Sequence, residues 1–112
     1  MQIDERVVGN VTILELKGKI TLGEGDDTLK ERINQLLSKD QKRIILHLAA
    51  VPYIDSAGLG EIVRTFTTIK NKGGQLKLCA MTKRIQDLLM ITKLLTVFET
   101  FETEPDALKS FN

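Results

Sequence analysis

Two short apolar runs separated by a helical pattern constrain the fold more than any other feature of this chain. Residues 43–49 form a short, mostly apolar and branched run, as a buried strand should, and Pro52 breaks any continuation of it. Apolar residues then recur at helical spacing to about residue 72, where Gly73 and Gly74 favour a left-handed helix C-cap. A second apolar run follows at 76–80. This strand–helix–strand unit predicts two parallel strands in an α/β fold.

The remaining patterns predict an opening hairpin and three further helices. Val7 and Val8 precede a run at 11–16, and the Gly9-Asn10 turn between them reverses the favoured Asn-Gly order. Helical spacing appears from residue 26 to about 39 and again over 83–92, with a short final strand at 97–98 and a last helix from about 103. We therefore predict a small mixed sheet, with an antiparallel first strand and parallel later strands, flanked by about four helices.

Size and composition favour a single domain over residues 1–112. The apolar share of 42% is enough for one core, and 16 Lys and Arg residues against 15 Asp and Glu leave almost no net charge. We therefore expect neither nucleic-acid nor membrane binding through a bulk electric field. The apolar runs fall short of the roughly 20 residues that span a bilayer. Cys79 lies in an apolar strand pattern, which predicts a buried thiol.

The segment at 53–60 places a hydroxyl where the strand pattern ends and the helical pattern begins. A side-chain oxygen of Asp55 or Ser56 could accept a hydrogen bond from the first free N–H groups of that helix. The same N–H groups and the helix dipole would also tolerate a phosphate on Ser56. Capping alone favours a purely structural role for this segment over phosphorylation of Ser56. The wider pattern of the chain also bears on which of the two roles applies.

That wider pattern resembles the STAS family, and most closely its bacterial anti-sigma factor antagonists. The resemblance is carried by Asp55-Ser56-Ala57-Gly58-Leu59-Gly60, the helix after it, Gly73-Gly74 and the strand at 76–80. It implies that Ser56 is phosphorylated by a partner anti-sigma factor that is also a serine kinase, and that a phosphatase reverses this. The partner-binding residues that we predict are Thr21, Gly23, Asp55, Ser56, Ala57, Gly58, Leu59 and Gly60.

Four further expectations concern this predicted surface. We expect Gly58 and Gly60 to let a partner's backbone approach, and Glu61 to face water. Many antagonists carry an aspartate where this chain has Thr21, in the run Gly18-Lys19-Ile20-Thr21, so the resemblance implies an altered interface there. The loop at 22–27 should lie at the same sheet end as Ser56, although its glycines and aspartates suit a turn and a helix start better than a phosphate cradle.

The sequence argues against an enzyme. The single histidine, His47, lies within a strand pattern, and Ile54 stands where a Gly-x-Ser-x-Gly motif would need glycine. One His and one Cys cannot form a structural metal site, so we expect no metal and no cofactor. Short basic clusters, such as Lys83-Arg84 with Lys93, suit solvated helix faces.

The expected output is therefore binding: the unmodified protein would bind the anti-sigma factor and release a sigma factor. A competing hypothesis is a constitutive STAS scaffold or accessory domain in a transport or signalling assembly, with Ser56 acting only as a cap. We expect a cytoplasmic monomer or weak dimer in either case.

Overall fold

The computed structural model describes residues 1–21 and 26–111, and for residues 26 and 27 it describes the backbone only. A mixed sheet of five strands runs through it, in the order β1-β2-β3-β4-β5. The strands are β1 Gln2–Val8, β2 Val11–Lys17, β3 Arg43–Ala50, β4 Gln75–Cys79 and β5 Glu99–Phe101. The helices are α1 Asp26–Ser38, α2 Ser56–Asn71, α3 Lys83–Ile91 and α4 Glu104–Lys109. Strands β1 and β2 pair antiparallel and the later neighbours pair parallel, which confirms the predicted fold class.

The helices cover the two faces of the sheet unequally. Alternate residues of β2 and β3, such as Leu14 and Leu46, pack beneath α1, α2 and α3 in the main core. The intervening residues, such as Ile13 and Ile45, point to the other face, where Ala107 of α4 covers them. This alternation follows from the two-residue period of a strand and divides the interior into a large core and a small one.

The conformation of the turn between β1 and β2 accounts for the reversed Gly9-Asn10 order. Gly9 has a φ of 62°, and Val8 and Val11 pair directly across the turn. A type II′ turn takes glycine at its first central position, so the Gly-Asn order suits the hairpin. Strand β1 starts at Gln2, well before the predicted Val7. Charged residues of this edge strand obscure its pattern, because an edge strand leaves many side chains in water.

The helix ends largely follow their local signals. Thr82 accepts a hydrogen bond from the Ile85 N–H, and Thr103 accepts one from Asp106, as expected of N-caps. Gly73 has a φ of 79°, which confirms the left-handed residue predicted after α2.

The final strand was predicted wrongly at 97–98 and lies at Glu99–Phe101. Phe98 is buried in the main core instead, where it packs edge-to-face on Phe66 with ring centroids 5.2 Å apart. The apolar pair at 97–98 therefore reflects core packing ahead of the strand.

Candidate functional site

Two chain segments meet at the carboxyl ends of β2 and β3. The Ile20 N–H donates to the Tyr53 carbonyl at 3.1 Å, and the Asp55 N–H donates to the Ile20 carbonyl at 3.3 Å. Ile20 and Ile54 form a parallel bridge and are both buried. Thr21, which follows Ile20, therefore lies at the same sheet edge as Asp55, as the parallel crossover predicts. Gly23 and most of the loop at 22–27 lie outside the described residues.

Asp55 caps helix α2. Its Oδ1 atom accepts a hydrogen bond of 2.7 Å from the Gly58 N–H, and its backbone is extended, as an N-cap residue requires. Ser56 is the first residue of the helix, and its side chain is exposed. Of the two capping side chains that the sequence allowed, the structure therefore selects Asp55, and the Ser56 hydroxyl stands at the helix N-terminus without serving as that cap.

The two glycines of the motif differ in their surroundings. A Cβ atom added to Gly58 would lie 2.0 Å from the Ile20 carbonyl oxygen, so this glycine lets α2 pack closely on the segment after β2. The expectation that Gly58 leaves room for a partner's backbone was therefore wrong. A Cβ atom on Gly60 would meet nothing nearer than an Arg64 nitrogen at 3.9 Å, so that position is open.

The predicted partner-binding residues divide into accessible and buried ones. Ser56 is exposed, and Thr21, Asp55, Ala57 and Gly60 are half-buried. Gly58 and Leu59 are buried, and Leu59 packs in the main core. The accessible residues form the surface of the site, and the two buried ones fix the helix beneath it.

Glu61 does not face water, contrary to the prediction. Only 5% of the residue is exposed, and its Oε2 atom accepts hydrogen bonds from the Arg64 Nε and Nη2 atoms at 3.1 and 2.8 Å. The side chain lies at a groove between α1 and α2 that Lys30 and Asn34 also line. Sequence position alone could not reveal this, because the burial depends on how α1 packs on α2.

A groove beside Ser56 is the main feature that the sequence did not predict. It has a volume of about 530 Å³, and its lining residues are Tyr53, Ile54, Asp55, Ser56, Arg84, Asp87, Leu88 and Ile91. The Arg84 guanidinium lies over the Tyr53 ring, 4.6 Å from the ring centroid. The sequence suggested only a solvated basic cluster at Lys83-Arg84, because the approach of α3 to the Ser56 loop is a tertiary contact.

His47 lies on the face of the sheet opposite α1, α2 and α3. Its Nδ1 atom is 3.0 Å from Glu104 Oε1, and the same oxygen accepts a hydrogen bond from Arg6 at 2.6 Å. Burial opposes ionisation of Glu104, but these hydrogen bonds outweigh it and lower the pKa of the carboxyl. His47 thus helps to hold α4 on the sheet and cannot serve Ser56 as a general base.

Two further observations concern cofactors and membranes. Within residues 1–21 and 26–111, no cluster of three His, Cys, Asp or Glu side chains is arranged to hold a metal ion. In the same part of the chain, no helix combines the length and the apolar character needed to cross a bilayer.

Comparison with known proteins places these features in a family. The sequence-family model of the STAS domain matches residues 2–107 of this chain. This chain belongs to the STAS family. Its sequence is 26% identical to the anti-sigma F factor antagonist of Paenibacillus polymyxa, over 96% of this chain and 92% of that protein.

Solved structures agree with this assignment. The crystal structure of a candidate anti-sigma factor antagonist from Thermotoga maritima is similar, with a TM-score of 0.89, 26% identity, and coverage of 96% of this chain and 92% of that one. The Bacillus cell-fate determinant SpoIIAA in its phosphorylated form has a TM-score of 0.77 and 14% identity, with coverage of 99% and 100%. At that identity the likeness to SpoIIAA concerns the fold, and this STAS domain shares it over nearly its full length.

Proposed function

We propose that this STAS domain is an anti-sigma factor antagonist that is switched off by phosphorylation of Ser56. The unmodified protein binds an anti-sigma factor with serine kinase activity through the surface around Ser56, and this binding releases a sigma factor in the cytoplasm. The anti-sigma factor phosphorylates Ser56, and a phosphatase restores the active form. The protein's own role is binding and involves no catalysis.

One observation carries this proposal: Asp55 caps helix α2, and Ser56 is exposed at the first helical position. A hydroxyl that served as the cap could be modified only at the cost of the helix end, about 1 kcal/mol. Here the cap is a different side chain, so a kinase can modify Ser56 while the fold keeps its hydrogen bonds. Full-length similarity to a named anti-sigma factor antagonist supports the same role.

A phosphate on Ser56 affects the fold and the complex differently. It adds about −1.5 to −2 charges and three acceptor oxygens. In the free protein, the N–H groups and the dipole of α2 favour that anion, whereas the carboxylate of neighbouring Asp55 opposes it. In a dry interface the same charge must lose its water and repels any partner carboxylate. Turning 99% occupancy into 1% requires about 5.5 kcal/mol, which sets the size of the effect that the phosphate must produce.

Thr21 modifies the electrostatics at this edge. It keeps a hydroxyl at the position where many antagonists have a carboxylate, next to the bridge that ties Ile20 to Ile54. Because Thr21 carries no negative charge, we expect a phosphate on Ser56 to meet less repulsion here than in antagonists with a carboxylate at this position. We therefore expect Thr21→Asp to slow phosphorylation of Ser56 by repulsion.

The test is phosphorylation of the purified protein by each purified anti-sigma factor of kinase type from its source organism, followed by peptide mass spectrometry. We expect one phosphate on Ser56, none in Ser56→Ala, and normal modification in the control Ser38→Ala, which removes another exposed serine hydroxyl. Ser56→Ala should bind the partner as the wild type does, and Ser56→Glu should bind at least about tenfold more weakly.

Two outcomes would contradict the proposal. Normal phosphorylation of Ser56→Ala would place the modification elsewhere. If none of these anti-sigma factors binds or modifies the wild type, the protein is better explained as a constitutive scaffold.

A further inference from the structure

Strand β1 leaves a long edge of the sheet unpaired. It has seven residues, Gln2–Val8, and in the part of the chain that the structure describes no strand pairs with its outer side. Strand β5, at the opposite edge, has only three residues. An unpaired edge offers a row of free N–H and C=O groups to another strand, and proteins usually protect it by keeping it short or charged. Because β1 is long, its charges decide which strand can pair with it.

The hairpin determines which backbone groups of β1 face outward. Val8 and Val11 close the two-residue turn, and such a closing pair exchanges both of its hydrogen bonds. Along an antiparallel pair, residues of this kind alternate with residues whose N–H and C=O groups point away from the partner strand. The register is regular over the whole of β1. The backbone groups of Ile3, Glu5 and Val7 therefore face outward.

The sequence of β1 is complementary to itself when a second copy of the strand runs antiparallel to it. If Glu5 lies opposite Glu5 of the second copy, Asp4 lies opposite Arg6, and Ile3 lies opposite Val7, which is 57% exposed. The outward-facing residues then pair with one another, and each such pair can exchange two hydrogen bonds. Opposite charges and apolar side chains directly across from each other stabilise paired strands.

Neighbouring registers lack this match. A two-fold axis perpendicular to the sheet keeps every side chain on its own face, so the axis must pass beside a residue. Registers centred on Asp4 or on Arg6 place like charges opposite each other and set Glu5 against Ile3 or Val7. The register centred on Glu5 also brings two carboxylates together, but it adds two pairs of opposite charge. Each Glu5 carboxylate also has a cation of its own in α1, because its Oε1 atom lies 3.3 Å from an Nη1 atom of the arginine at position 32.

Two ion pairs already present on one face of β1 suit this register. Asp4 Oδ2 lies 2.7 Å from Lys17 Nζ, and Glu104 Oε1 lies 2.6 Å from Arg6 Nη2. The Asp4 and Arg6 side chains are 44% and 49% exposed, so both remain accessible. Placing Asp4 of one copy beside Arg6 of the other joins the two ion pairs into a row of alternating charges.

We propose that β1 pairs with β1 of a second copy in an antiparallel, two-fold symmetric dimer centred on Glu5. The pairing uses the β1 edge of both copies, so assembly through this edge stops at two. One strand from each copy buries less than the roughly 1,200 Å² typical of stable complexes, so we expect a dissociation constant between about 1 μM and 1 mM. The carboxyl ends of β2 point in opposite directions in the two copies, which places the two Ser56 surfaces at opposite ends of the continuous sheet. The inference does not depend on the proposed function.

The first test is sedimentation equilibrium at protein concentrations up to about 1 mM. We expect the wild type to dimerise reversibly. Asp4→Lys opposes two cations in each pair and should weaken the dimer at least about tenfold. The matched control is Glu102→Lys, which reverses an exposed carboxylate directly after β5, at the other edge of the sheet. It should dimerise within about twofold of the wild type.

Cysteine cross-linking tests the register. Glu5→Cys places two thiols directly opposite each other, with Cα atoms about 5.5 Å apart, a distance that a disulfide can span. Val8→Cys is the matched control, because Val8 lies opposite Gln2 of the second copy and about 20 Å from its own counterpart. The native Cys79 is buried. Under mild oxidation we expect a disulfide-linked dimer of Glu5→Cys and little or none of Val8→Cys.

Three results would overturn the inference. The first is a wild type that stays monomeric at all these concentrations. The second is a dimer that Asp4→Lys weakens no more than Glu102→Lys does. The third is equal cross-linking of the two cysteine variants, which would exclude the register centred on Glu5. Circular dichroism of each variant excludes loss of folding as the cause.

Discussion

Gly58→Ala tests whether close packing beneath Ser56 holds the site in place. The new methyl group would lie 2.0 Å from the Ile20 carbonyl oxygen, whereas ordinary contacts begin at 3.4 Å, so the two segments must separate by 1.4 Å (3.4 − 2.0). Ile20 cannot yield easily, because hydrogen bonds join it to Tyr53 on one side and Asp55 on the other. We expect the substitution to strain this junction.

The magnitude follows from three contributions. Overpacking costs about 1–3 kcal/mol. Loss of the hydrogen bond between the Asp55 N–H and the Ile20 carbonyl costs about 1 kcal/mol, and the better helix propensity of alanine returns up to about 1 kcal/mol. The expected net loss in the free energy of unfolding is about 2 kcal/mol, or roughly 8 °C in Tm for a chain of this size.

Gly60→Ala is the matched control, because it adds the same methyl group two residues later, where the nearest atom is 3.9 Å away. It should raise the free energy of unfolding by about 0.5–1 kcal/mol, since only helix propensity changes. Urea unfolding followed by circular dichroism measures both variants. Equal stabilities for the two alanine variants would refute the packing argument.

Three other predictions concern buried or half-buried polar groups. Thr65→Val should raise the free energy of unfolding by about 1 kcal/mol, because the Thr65 hydroxyl is buried without a hydrogen-bond partner among the described residues. Glu104→Gln should lower the free energy of unfolding at pH 7 by about 1 kcal/mol, the usual net contribution of a hydrogen bond. Burial opposes ionisation of Glu104, but hydrogen bonds from Arg6 and His47 outweigh it and lower the pKa of the carboxyl, so the deficit should shrink as the pH falls below the ordinary value of 4.5 and through that lowered pKa. Burial raises the pKa of the Cys79 thiol to about 12, so a disulfide reagent should label the native protein far more slowly than the urea-unfolded chain.

Each of these has a result that would contradict it. Thr67→Val removes an exposed hydroxyl that donates to the Val63 carbonyl, so a gain equal to that of Thr65→Val would show that burial is not the cause. The sign for Glu104 follows from its lowered pKa: the ionised carboxyl stabilises the fold at neutral pH, and this contribution is lost on acidification. Parallel pH profiles for wild type and Glu104→Gln would therefore be inconsistent with it. Equal labelling rates of Cys79 in folded and unfolded protein would disprove its burial.

Local signals predicted most of the secondary structure. Helix caps and stops depend on residues within one turn, and Thr82, Thr103 and Gly73 confirm the ends predicted from them. The two strands at the edges of the sheet were predicted less well. Strand β1 lies at an edge of the sheet, where charged side chains can face water, so its sequence lacks an apolar pattern. The three residues of β5 pair with β4, whereas the neighbouring apolar residue Phe98 packs in the core.

Polar contacts between distant elements could not be predicted from the sequence. The apolar run at 76–80 includes Lys77, and the pattern gives no partner for its charge. In the structure Lys77 is buried, and its Nζ atom donates a hydrogen bond to the Ser110 hydroxyl at 2.7 Å and lies over the Phe111 ring. The pair of Arg6 and Glu104 joins residues 98 apart in the chain. No periodic pattern encodes such partners, because they are specified by the docking of α4 on the sheet.

The sequence by itself determined the order of elements, the parallel crossover that brings two loops to one edge, and the presence of a hydroxyl at the start of α2. These depend on residue periodicity and on signals within a few positions. The tertiary structure decided that Asp55 caps the helix, that Gly58 packs on Ile20, and that Arg84 shares a groove with Ser56. Those contacts depend on how separate elements pack in three dimensions, and side-chain spacing along a single chain does not specify that packing.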